Sequence, residues 1–408
     1  MKFEKNIIIP LFMASALISC ATRQQPAGGN PAASLQNVSQ NSHAPNSKET
    51  VVPFWGKLFT EVCKKSKAEN VCISPLSAQY ALAMTANGAT GETQRQMHGT
   101  LNIDKNANIA AKETLERLAK SEYGCEANIA NSIWINEKLS VKQEFIDTNK
   151  EYFNALVTTA PFNKGTLQKI NNWCSENTKG KIKSALDDIK KNDRMYLINA
   201  LYFKGGWANE FNKEMTKEMP FTKEDGSVVN VSMMNQEIKA MYYEDDVIQI
   251  VDKNFDYAYE MRLILPAEGV TIEEAIAHLA CNYENIVSKM FKHQVTLSMP
   301  KFQSDFSTSL KEPLMHIGMP RAFSNSAQFD GISDEPLRID DVFQKTFIKV
   351  DETGAEAAAL TVVRTGLLSM NQKFEERVMN LNRPFIYIIK NYQPENILFI
   401  GKVGNPNE

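Results

Sequence analysis

The stretch ETGAEAAALTVVRT, residues 352–365, decides how this chain of 408 residues is interpreted. Successive side chains of a strand point to opposite faces of a sheet, so alternate residues of this stretch would share a face. One face would carry only small, uncharged side chains: Ala355, Ala357, Ala359, Thr361, Val363 and Thr365. The other face would carry the charged residues Glu356 and Arg364. The segment suits a central strand, but its three consecutive alanines form strands poorly, so we interpret it as a mobile segment able to enter a sheet.

The overall composition indicates a globular protein without a strong electrostatic field. The chain is 43% hydrophobic and 23% charged, with a formal net charge of −3. This balance gives no reason to expect a nucleic-acid partner. The length is compatible with one large domain, and we expect a monomer.

The N-terminus predicts an exported protein. Lys2 and Lys5 precede an apolar run at residues 7–18. The run is too short for a stable transmembrane helix and is interrupted by Pro10, so we interpret it as a secretory signal. The sequence Leu-Ile-Ser-Cys at residues 17–20 resembles the lipobox of bacterial lipoproteins. The resemblance implies cleavage before Cys20 and a lipid on its thiol. The alternative is a cysteine in an ordinary secretory signal.

The predicted organisation has three parts. Residues 1–19 form a lipoprotein signal peptide. Residues 20–49 begin with the lipidated Cys20 and are rich in Gln, Asn, Ser, Pro, Ala and Gly, so they predict a flexible tether. Residues 50–408 form a single domain. Ala21 follows Cys20 without a retention-like aspartate, which favours the outer membrane or the cell surface.

Motifs for catalysis and metal binding are missing from the sequence. There is no G-x-S-x-G, H-E-x-x-H, P-loop or dinucleotide-binding motif. The six cysteines do not show zinc-site spacing, and those after Cys20 are interpreted as buried small hydrophobic residues. The acidic run at residues 244–246 is interpreted as a solvated turn. We therefore expect no catalytic residues, no metal and no cofactor, and favour a binding or mechanical role over an enzyme.

The distribution of apolar residues predicts an α+β protein. Helical spacing begins at Phe54 and returns at residues 80–84, whereas short apolar runs predict strands at residues 133–135, 195–203 and 261–265. Further strands are predicted at 228–234, 295–299, 384–389 and 397–403. Helices dominate the first half and strands the second, without regular βαβ alternation.

A series of short motifs resembles those of the serpin family, in the family's order, from about residue 50 to Pro406. The matching segments are residues 70–77 (NVCISPLS), 88–93 (GATGET), 170–173 (INNW), 178–182 (TKGKI), 199–207 (NALYFKGGW), 299–302 (MPKF), 383–385 (RPF) and 398–403 (LFIGKV). Each motif alone is weak, but their order is specific. The resemblance implies the serpin fold, with helices around three β-sheets and an exposed reactive loop, here about residues 352–375, that can insert into the main sheet.

The opening stretch is similar to the serpin hinge, E-x-G-x-E-A-A-A-x-T. The matching residues are Glu352, Gly354, Glu356, Ala357, Ala358, Ala359 and Thr361, with Ala355 where a threonine or serine is common. The resemblance implies a suicide inhibitor of proteases. A protease cuts the loop and forms an acyl-enzyme, and insertion of the loop then distorts the protease and traps it. Such insertion would release on the order of 10 kcal/mol or more.

The family's spacing places the reactive bond between Leu368 and Ser369, because Leu368 is the seventeenth residue from Glu352. Seventeen extended residues span roughly 56 Å. Leu367 and Met370 are the fallback positions. Leucine suits elastase-, chymotrypsin-, cathepsin G- or subtilisin-like serine proteases, and some papain-like cysteine proteases. A cut at Arg364 would leave a tether too short for trapping.

The resemblance also implies a sheet-opening cluster, here Ser74, Ser77, Asn199, Gln344 and Trp207. Gln344 stands where the family usually has a histidine. Its amide can hydrogen-bond to Ser74, Ser77 and Asn199, so we expect a changed pH sensitivity of sheet opening with inhibition retained.

Two other functions compete with inhibition. The first is a non-inhibitory serpin-fold protein that acts as a binding module or chaperone, and the small inward face argues against it. The second is an unrelated surface lipoprotein that binds glycans or a host protein, and the ordered motifs make it remote.

Overall fold

The helices fall mainly in the first half of the domain, as their periodicity predicted. The computed structural model describes residues 52–120, 125–255, 258–355, 374–392 and 395–408, which all belong to one unit of the chain. The α-helices in these residues are α1 (Phe54–Lys65), α2 (Pro75–Ala86), α3 (Gly91–Leu101), α4 (Ala107–Leu118), α5 (Gln143–Phe153), α6 (Lys164–Asn177), α7 (Ile272–Ser288) and α8 (Lys311–His316).

Each strand that the sequence predicted from an apolar run is present. They are β1 (Val71–Ile73), β2 (Glu126–Asn136), β3 (Leu156–Ala160), β4 (Met195–Gly206), β5 (Lys217–Thr222), β6 (Val228–Glu244), β7 (Ile248–Asn254), β8 (Tyr259–Pro266), β9 (Phe291–Pro300), β10 (Phe302–Ser309), β11 (Asp341–Asp351), β12 (Gly354–Ala355), β13 (Glu376–Asn380), β14 (Phe385–Asn391) and β15 (Asn396–Val403). Helices and strands alternate irregularly, so the fold is α+β, as predicted.

A six-stranded sheet carries the order β10-β11-β12-β4-β2-β3. Strands β11 and β4 also pair directly with each other, in parallel, over residues 341–346 and 196–201. Farther along, the two-residue strand β12 lies between them and pairs with both in the antiparallel sense. The sheet is therefore closed along part of the β11–β4 boundary and holds an inserted segment along another part.

The remaining strands form a nine-stranded sheet with the order β1-β15-β14-β8-β7-β6-β9-β13, and β5 pairs with β6. The family resemblance implied three sheets, but the described strands form two hydrogen-bonded sheets. The reason is β6, which runs for 17 residues. It pairs with β5 and β9 and, near its end, with β7, and so joins two sheets into one.

Helix α2 lies in the core between the two sheets and contacts β2, β4 and β15. It begins after Ser74, whose side chain caps the helix by accepting a hydrogen bond from Ser77 N at 3.3 Å, and Pro75 occupies the first helical turn. Nearly all of its residues are buried. This placement brings Ser74 and Ser77 against the inner face of the six-stranded sheet.

Helix α6 covers the outer face of the same sheet. Its residues Ile170 and Cys174 pack with Tyr196 and Ile198 of β4, and Phe343 of β11 is packed against the same cluster. The apolar side chains of both strands thus meet α6 where β11 and β4 pair directly.

Three cysteines, Cys63, Cys72 and Cys174, are buried free thiols, as predicted. The acidic run forms a turn in which Asp245 accepts hydrogen bonds from Val247 N and Ile248 N, both at 2.9 Å. Within the described ranges, no group of three or more His, Cys, Asp or Glu side chains is placed to hold a metal ion. No helix in these ranges is long and apolar enough to cross a membrane.

Candidate functional site

The start of the predicted hinge is already part of the six-stranded sheet. Gly354 pairs with Asp351 on β11 and with Gly206 on β4, and Ala355 pairs with Val350 and Gly205. A tight turn connects β11 to β12: the Asp351 carboxylate accepts hydrogen bonds from Thr353 N at 2.9 Å and from the Thr353 hydroxyl at 2.6 Å. The chain thus reverses direction and begins a new central strand.

Gly354 is the residue that permits this reversal. Its φ is +150°, in the region that favours glycine. A Cβ at this position would lie 2.1 Å from the carbonyl oxygen of Gly205. Both the backbone angle and the close approach to β4 therefore require glycine at residue 354.

The Ala355 side chain points into the protein. Its relative exposure is 0%, and its partner on β11, Val350, is 1% exposed. Side chains directly opposite each other on neighbouring strands share a face. The Ala355 side chain, the first of those that the sequence marked as small and uncharged, therefore lies in the core.

Glu352 anchors the turn from the side. Its carboxylate is buried and forms an ion pair with Lys301 Nζ at 2.6 Å, while Oε1 accepts a hydrogen bond from the Thr216 hydroxyl at 2.9 Å. Burial raises the pKa of Glu352, but the contacts with Lys301 and Thr216 outweigh burial and hold that pKa below its usual value. The carboxylate is thus charged and paired at neutral pH.

Residues 207–211, which we call the hinge clasp, hold the same turn by hydrogen bonds to its backbone carbonyl oxygens. Trp207 N donates to Thr353 O, Trp207 Nε1 donates to Asp351 O, and Phe211 N donates to Glu352 O, all at 2.9 Å. The Trp207 indole is stacked on Phe255 with ring centroids 4.3 Å apart. The clasp thereby ties the turn to the nine-stranded sheet, because Phe255 directly follows β7.

The predicted sheet-opening cluster is centred on Gln344, which is 1% exposed. Gln344 Nε2 donates to Asn199 Oδ1 and to Ser74 O, both at 2.9 Å, and Gln344 Oε1 accepts from Ser74 N at 2.8 Å. Asn199 Nδ2 donates to the Ser77 hydroxyl and to Asn131 Oδ1. The cluster links β11, β4 and β2 to the start of α2.

Most of the predicted cluster comes together, with two differences. The first difference is that Gln344 bonds to the backbone of Ser74 and does not hydrogen-bond to Ser77 directly, because Asn199 donates the hydrogen bond to the Ser77 hydroxyl. Trp207 lies elsewhere: it follows β4 by one residue and is eight residues beyond Asn199, roughly 26 Å along an extended strand. Trp207 belongs to the hinge clasp.

Sequence reasoning missed the residues that complete the site. Asn131 is aligned with Asn199 by the pairing of β2 with β4. Lys301 and Thr216 come from segments distant in sequence from Glu352. No pattern in a single sequence marks these residues, because their roles depend on the register between strands.

The rest of the predicted site lies outside the described residues. This applies to the hinge residues Glu356, Ala357, Ala358, Ala359 and Thr361, to the reactive bond Leu368–Ser369 with its fallbacks Leu367 and Met370, and to Cys20.

Comparisons with known proteins agree with this geometry. A family model described as "Serpin (serine protease inhibitor)" matches residues 50–406. A serpin-like protein of Thermococcus kodakarensis is 33% identical over 349 residues, covering 83% of this chain and 81% of its own. The leukocyte elastase inhibitor of Xenopus laevis is 30% identical over 379 residues, covering 88% of this chain and all of its own. The native-state structure of the thermophilic serpin tengpin superposes with a TM-score of 0.79 at 32% identity, covering 90% of this chain and 96% of its own.

Proposed function

This chain belongs to the serpin family, and on that premise we propose that it inhibits serine proteases as a suicide substrate. One observation carries the proposal: Gly354 and Ala355 already occupy a central position between β11 and β4. The proposed targets are elastase-, chymotrypsin-, cathepsin G- or subtilisin-like enzymes, with papain-like cysteine proteases as a further class.

The existing register defines how the rest of the loop would insert. Each further residue of the loop would move one residue back along both neighbouring strands. Six residues beyond Ala355, Thr361 would lie between Gln344 and Asn199, which are six residues before Val350 and Gly205. Thr365 would reach the level of Met195, where β4 begins. The sheet therefore has the length to accept residues 354–365.

The same register matches charges on the outward face. Glu356 would lie between Lys349 on β11 and Lys204 on β4, and Arg364 would lie opposite Asp341. Opposite charges directly across strands stabilise a pairing by about 0.2–1 kcal/mol each. Both charged residues of the loop would thus meet favourable partners, which supports insertion in this register.

Covalent trapping follows from a cut at the end of the loop. The protease's serine hydroxyl attacks the carbonyl carbon of Leu368, the Leu368–Ser369 bond breaks, and the Ser369 amine leaves with a proton. Leu368 remains joined to the protease as an ester. Insertion of residues 354–365 would then carry that ester roughly 40 Å along the sheet. Displacement on this scale distorts the protease before water hydrolyses the ester.

The position of the cut separates inhibition from simple cleavage. Leu367 and Leu368 suit proteases with apolar primary pockets, whereas Arg364 suits trypsin-like enzymes. In the proposed register, Arg364 itself becomes part of the inserted strand. A protease attached there would hinder the insertion that traps it, so we expect trypsin-like enzymes to cleave the loop and be released.

The test is to mix the full-length protein with an elastase-like and a chymotrypsin-like protease and to separate the products on a denaturing gel. We expect a stable complex of inhibitor and protease, together with a released C-terminal peptide that begins at Ser369. Mass spectrometry of the peptide fixes the bond, and Leu367–Leu368 or Met370–Asn371 would shift it to a fallback position.

Cleavage of the loop without a complex, with the protease still active, would contradict inhibition of that enzyme class. If all the named classes give this result, the second candidate applies, namely a non-inhibitory serpin-fold protein that acts as a binding module or chaperone. A trypsin-like protease is the matched control, because it should cut after Arg364 without forming a complex.

We further propose that the protein is an exported bacterial lipoprotein, anchored through Cys20 in the outer membrane or at the cell surface. The support is the Leu-Ile-Ser-Cys sequence and the polar residues 21–49 that follow it. Metabolic labelling with palmitate tests this proposal. The label should appear in the wild-type protein and be absent from Cys20→Ala, and equal labelling of both would contradict it.

A further inference from the structure

A cavity of about 520 Å³ lies beside the hinge clasp, where β6 and β7 meet. Its wall includes Asn209 of the clasp, Gln236 of β6 and Lys253 of β7. Lys239 and Lys292 are exposed and also line the cavity. Nothing in the proposed inhibitory mechanism uses this cavity.

Lys253 is a buried lysine, and no carboxylate among the described residues pairs with it. It is 3% exposed, and its Nζ donates to Asn209 O at 2.9 Å and to Gln236 Oε1 at 2.7 Å, which are both neutral groups. An ammonium has three N–H donors, so one remains without an oxygen acceptor in the described part of the chain. The ammonium also lies over the rings of Phe211 and Trp207, at 4.2 and 5.0 Å from their centroids.

Two of the three acidic side chains that line the cavity form ion pairs with cations outside its wall. Asp252 is bound by both Arg262 Nε and Arg262 Nη2 at 2.8 Å, and Glu260 is paired with Lys390. The remaining charged groups on the wall are three lysines (Lys239, Lys253 and Lys292) and one exposed glutamate, Glu237. Apart from the two paired carboxylates, lysines therefore outnumber acidic side chains on the wall. Burial lowers the pKa of Lys253 to about 7, as expected for a lysine that lacks a counter-ion.

We propose that this cavity binds a small oxyanion, a carboxylate or a phosphate group, against Lys253, with Lys239 and Lys292 at its rim. The anion supplies the acceptor and the negative charge that Lys253 lacks. An occupied site holds Lys253 in its charged form. Because a cation over an aromatic face is attracted to it, the charged form also strengthens the contacts with Trp207 and Phe211.

The site is coupled to the hinge through these two residues. Trp207 and Phe211 hold the backbone of residues 351–353, so a ligand that fixes the clasp also fixes the turn that leads into β12. The binding itself does not depend on the proposed inhibitory function. A protein that fails to trap proteases would still bind the anion.

Isothermal titration calorimetry of the full-length protein with sodium sulfate and with sodium malonate tests the site. Sulfate does not titrate near neutral pH, so any proton taken up on binding is bound by the protein and not by the anion. At about pH 8, where Lys253 is largely neutral, we expect saturable binding with proton uptake, measured as a dependence of the heat on the buffer. Preference for malonate assigns a carboxylate ligand, and preference for sulfate assigns a phosphate-like one.

Lys253→Met keeps the apolar stem and removes the charge. We expect it to weaken binding at least about tenfold and to abolish proton uptake. The exposed Lys217→Met is the matched control and should bind as the wild type does. If Lys253→Met does not fold, the double variant Lys239→Gln with Lys292→Gln should weaken binding several-fold, whereas Glu237→Gln should strengthen it.

Hydrogen exchange provides an independent measurement. The amides of Trp207 and Phe211 donate to the turn at residues 351–353, so they should exchange more slowly with sulfate present. Equal affinity in the wild type and Lys253→Met, or no saturable binding of either anion, would overturn the proposal.

Discussion

Gln344 and Asn199 are direct partners in the parallel pairing of β11 with β4, and their side chains are joined by a 2.9 Å hydrogen bond. In the proposed register, these same two residues become the neighbours of Thr361 on either side. The bond must therefore break when the loop enters. Gln344 and Asn199 together form the contact that closes the sheet and the position at which it opens.

Replacement of this glutamine by histidine should make the stability of the native state depend on pH. The amide of Gln344 does not titrate, whereas a neutral imidazole at this buried position would accept from Ser74 N and lose that role on protonation. Burial lowers the pKa of such a histidine, so its destabilising effect grows as pH falls through about 6.5. Relative to the wild type, Gln344→His should lose about 1 kcal/mol of unfolding free energy between about pH 7.5 and pH 5.5.

Urea unfolding of both proteins at the two pH values measures this difference. The exposed Gln303→His is the control and should follow the wild type. A parallel pH profile for Gln344→His and the wild type would show that the position does not control a pH response.

Gly354→Ala should disrupt the pairing of β12 with β11 and β4. The new Cβ would meet the Gly205 carbonyl, and alanine rarely adopts a φ of +150°. We expect a loss of about 1–3 kcal/mol in unfolding free energy and faster limited proteolysis of the loop. Gly226→Ala is the control for strain elsewhere in the fold, because Gly226 also has a positive φ, +80°, but a Cβ there meets no atom within 4 Å. Equally fast loop proteolysis in both variants would mean that a general loss of stability, and not the change at Gly354, exposes the loop.

A charge on the inward face should convert the inhibitor into a substrate. In the proposed register, Ala357 lies between Ile348 and Phe203, which are each 1% exposed, whereas Ala358 points to the other face. Ala357→Arg would bury an unpaired charge and should lower the yield of covalent complex at least about tenfold. Ala358→Arg is the matched control and should retain most of the yield. The yields follow from the ratio of complex to cleaved inhibitor on a denaturing gel, and equal yields would exclude this register.

The charge match at Glu356 gives a second test of the register. Glu356→Lys would place three lysines side by side on the outward face and should lower the yield of complex. Adding Lys349→Glu should restore part of the yield, because it recreates an opposite pair across the strands. The same Lys349→Glu change in the wild-type loop should lower the yield. Additive effects of the two substitutions would show that residues 349 and 356 do not meet.

Glu352 should contribute stability that is lost in acid. Its pKa is held below the ordinary value of 4.5, so the contribution is complete above about that pH and disappears as pH falls through the lower, folded-state pKa. Glu352→Gln should cost about 1–3 kcal/mol at neutral pH and progressively less below about pH 4.5. Thermal unfolding of the two proteins across this range measures the effect, and the exposed Glu237→Gln should show no such trend. A cost for Glu352→Gln that is independent of pH would mean that the charge of Glu352 does not matter.

Alternation and composition were enough to predict much of this protein. Apolar runs located strands such as β4 and β8, and the alternation of small residues began at Ala355, which is buried. The hinge role of Gly354 was predicted from the resemblance to the serpin hinge, and its φ of +150° is one that favours glycine.

Contacts between distant strands were not predictable in the same way. Trp207 follows β4 in sequence, but its place in the clasp depends on a turn of β11 that comes much later. The ion pair of Glu352 with Lys301 and the neutral partners of Lys253, Asn209 and Gln236, likewise depend on three-dimensional neighbours. The joining of three expected sheets into two depends on the length of β6, which the short apolar run at residues 228–234 did not reveal.

The two pairings of β4 have a consequence for which substitutions this chain can tolerate. Residues 196–201 face β11 in the parallel sense before cleavage and would face the loop in the antiparallel sense after it. A residue there must satisfy two requirements. It must stabilise the closed sheet without preventing its opening, and it must then pair with the inserted loop. A mutational scan that measures expression and inhibition separately should find that many changes at these six positions preserve expression but reduce inhibition.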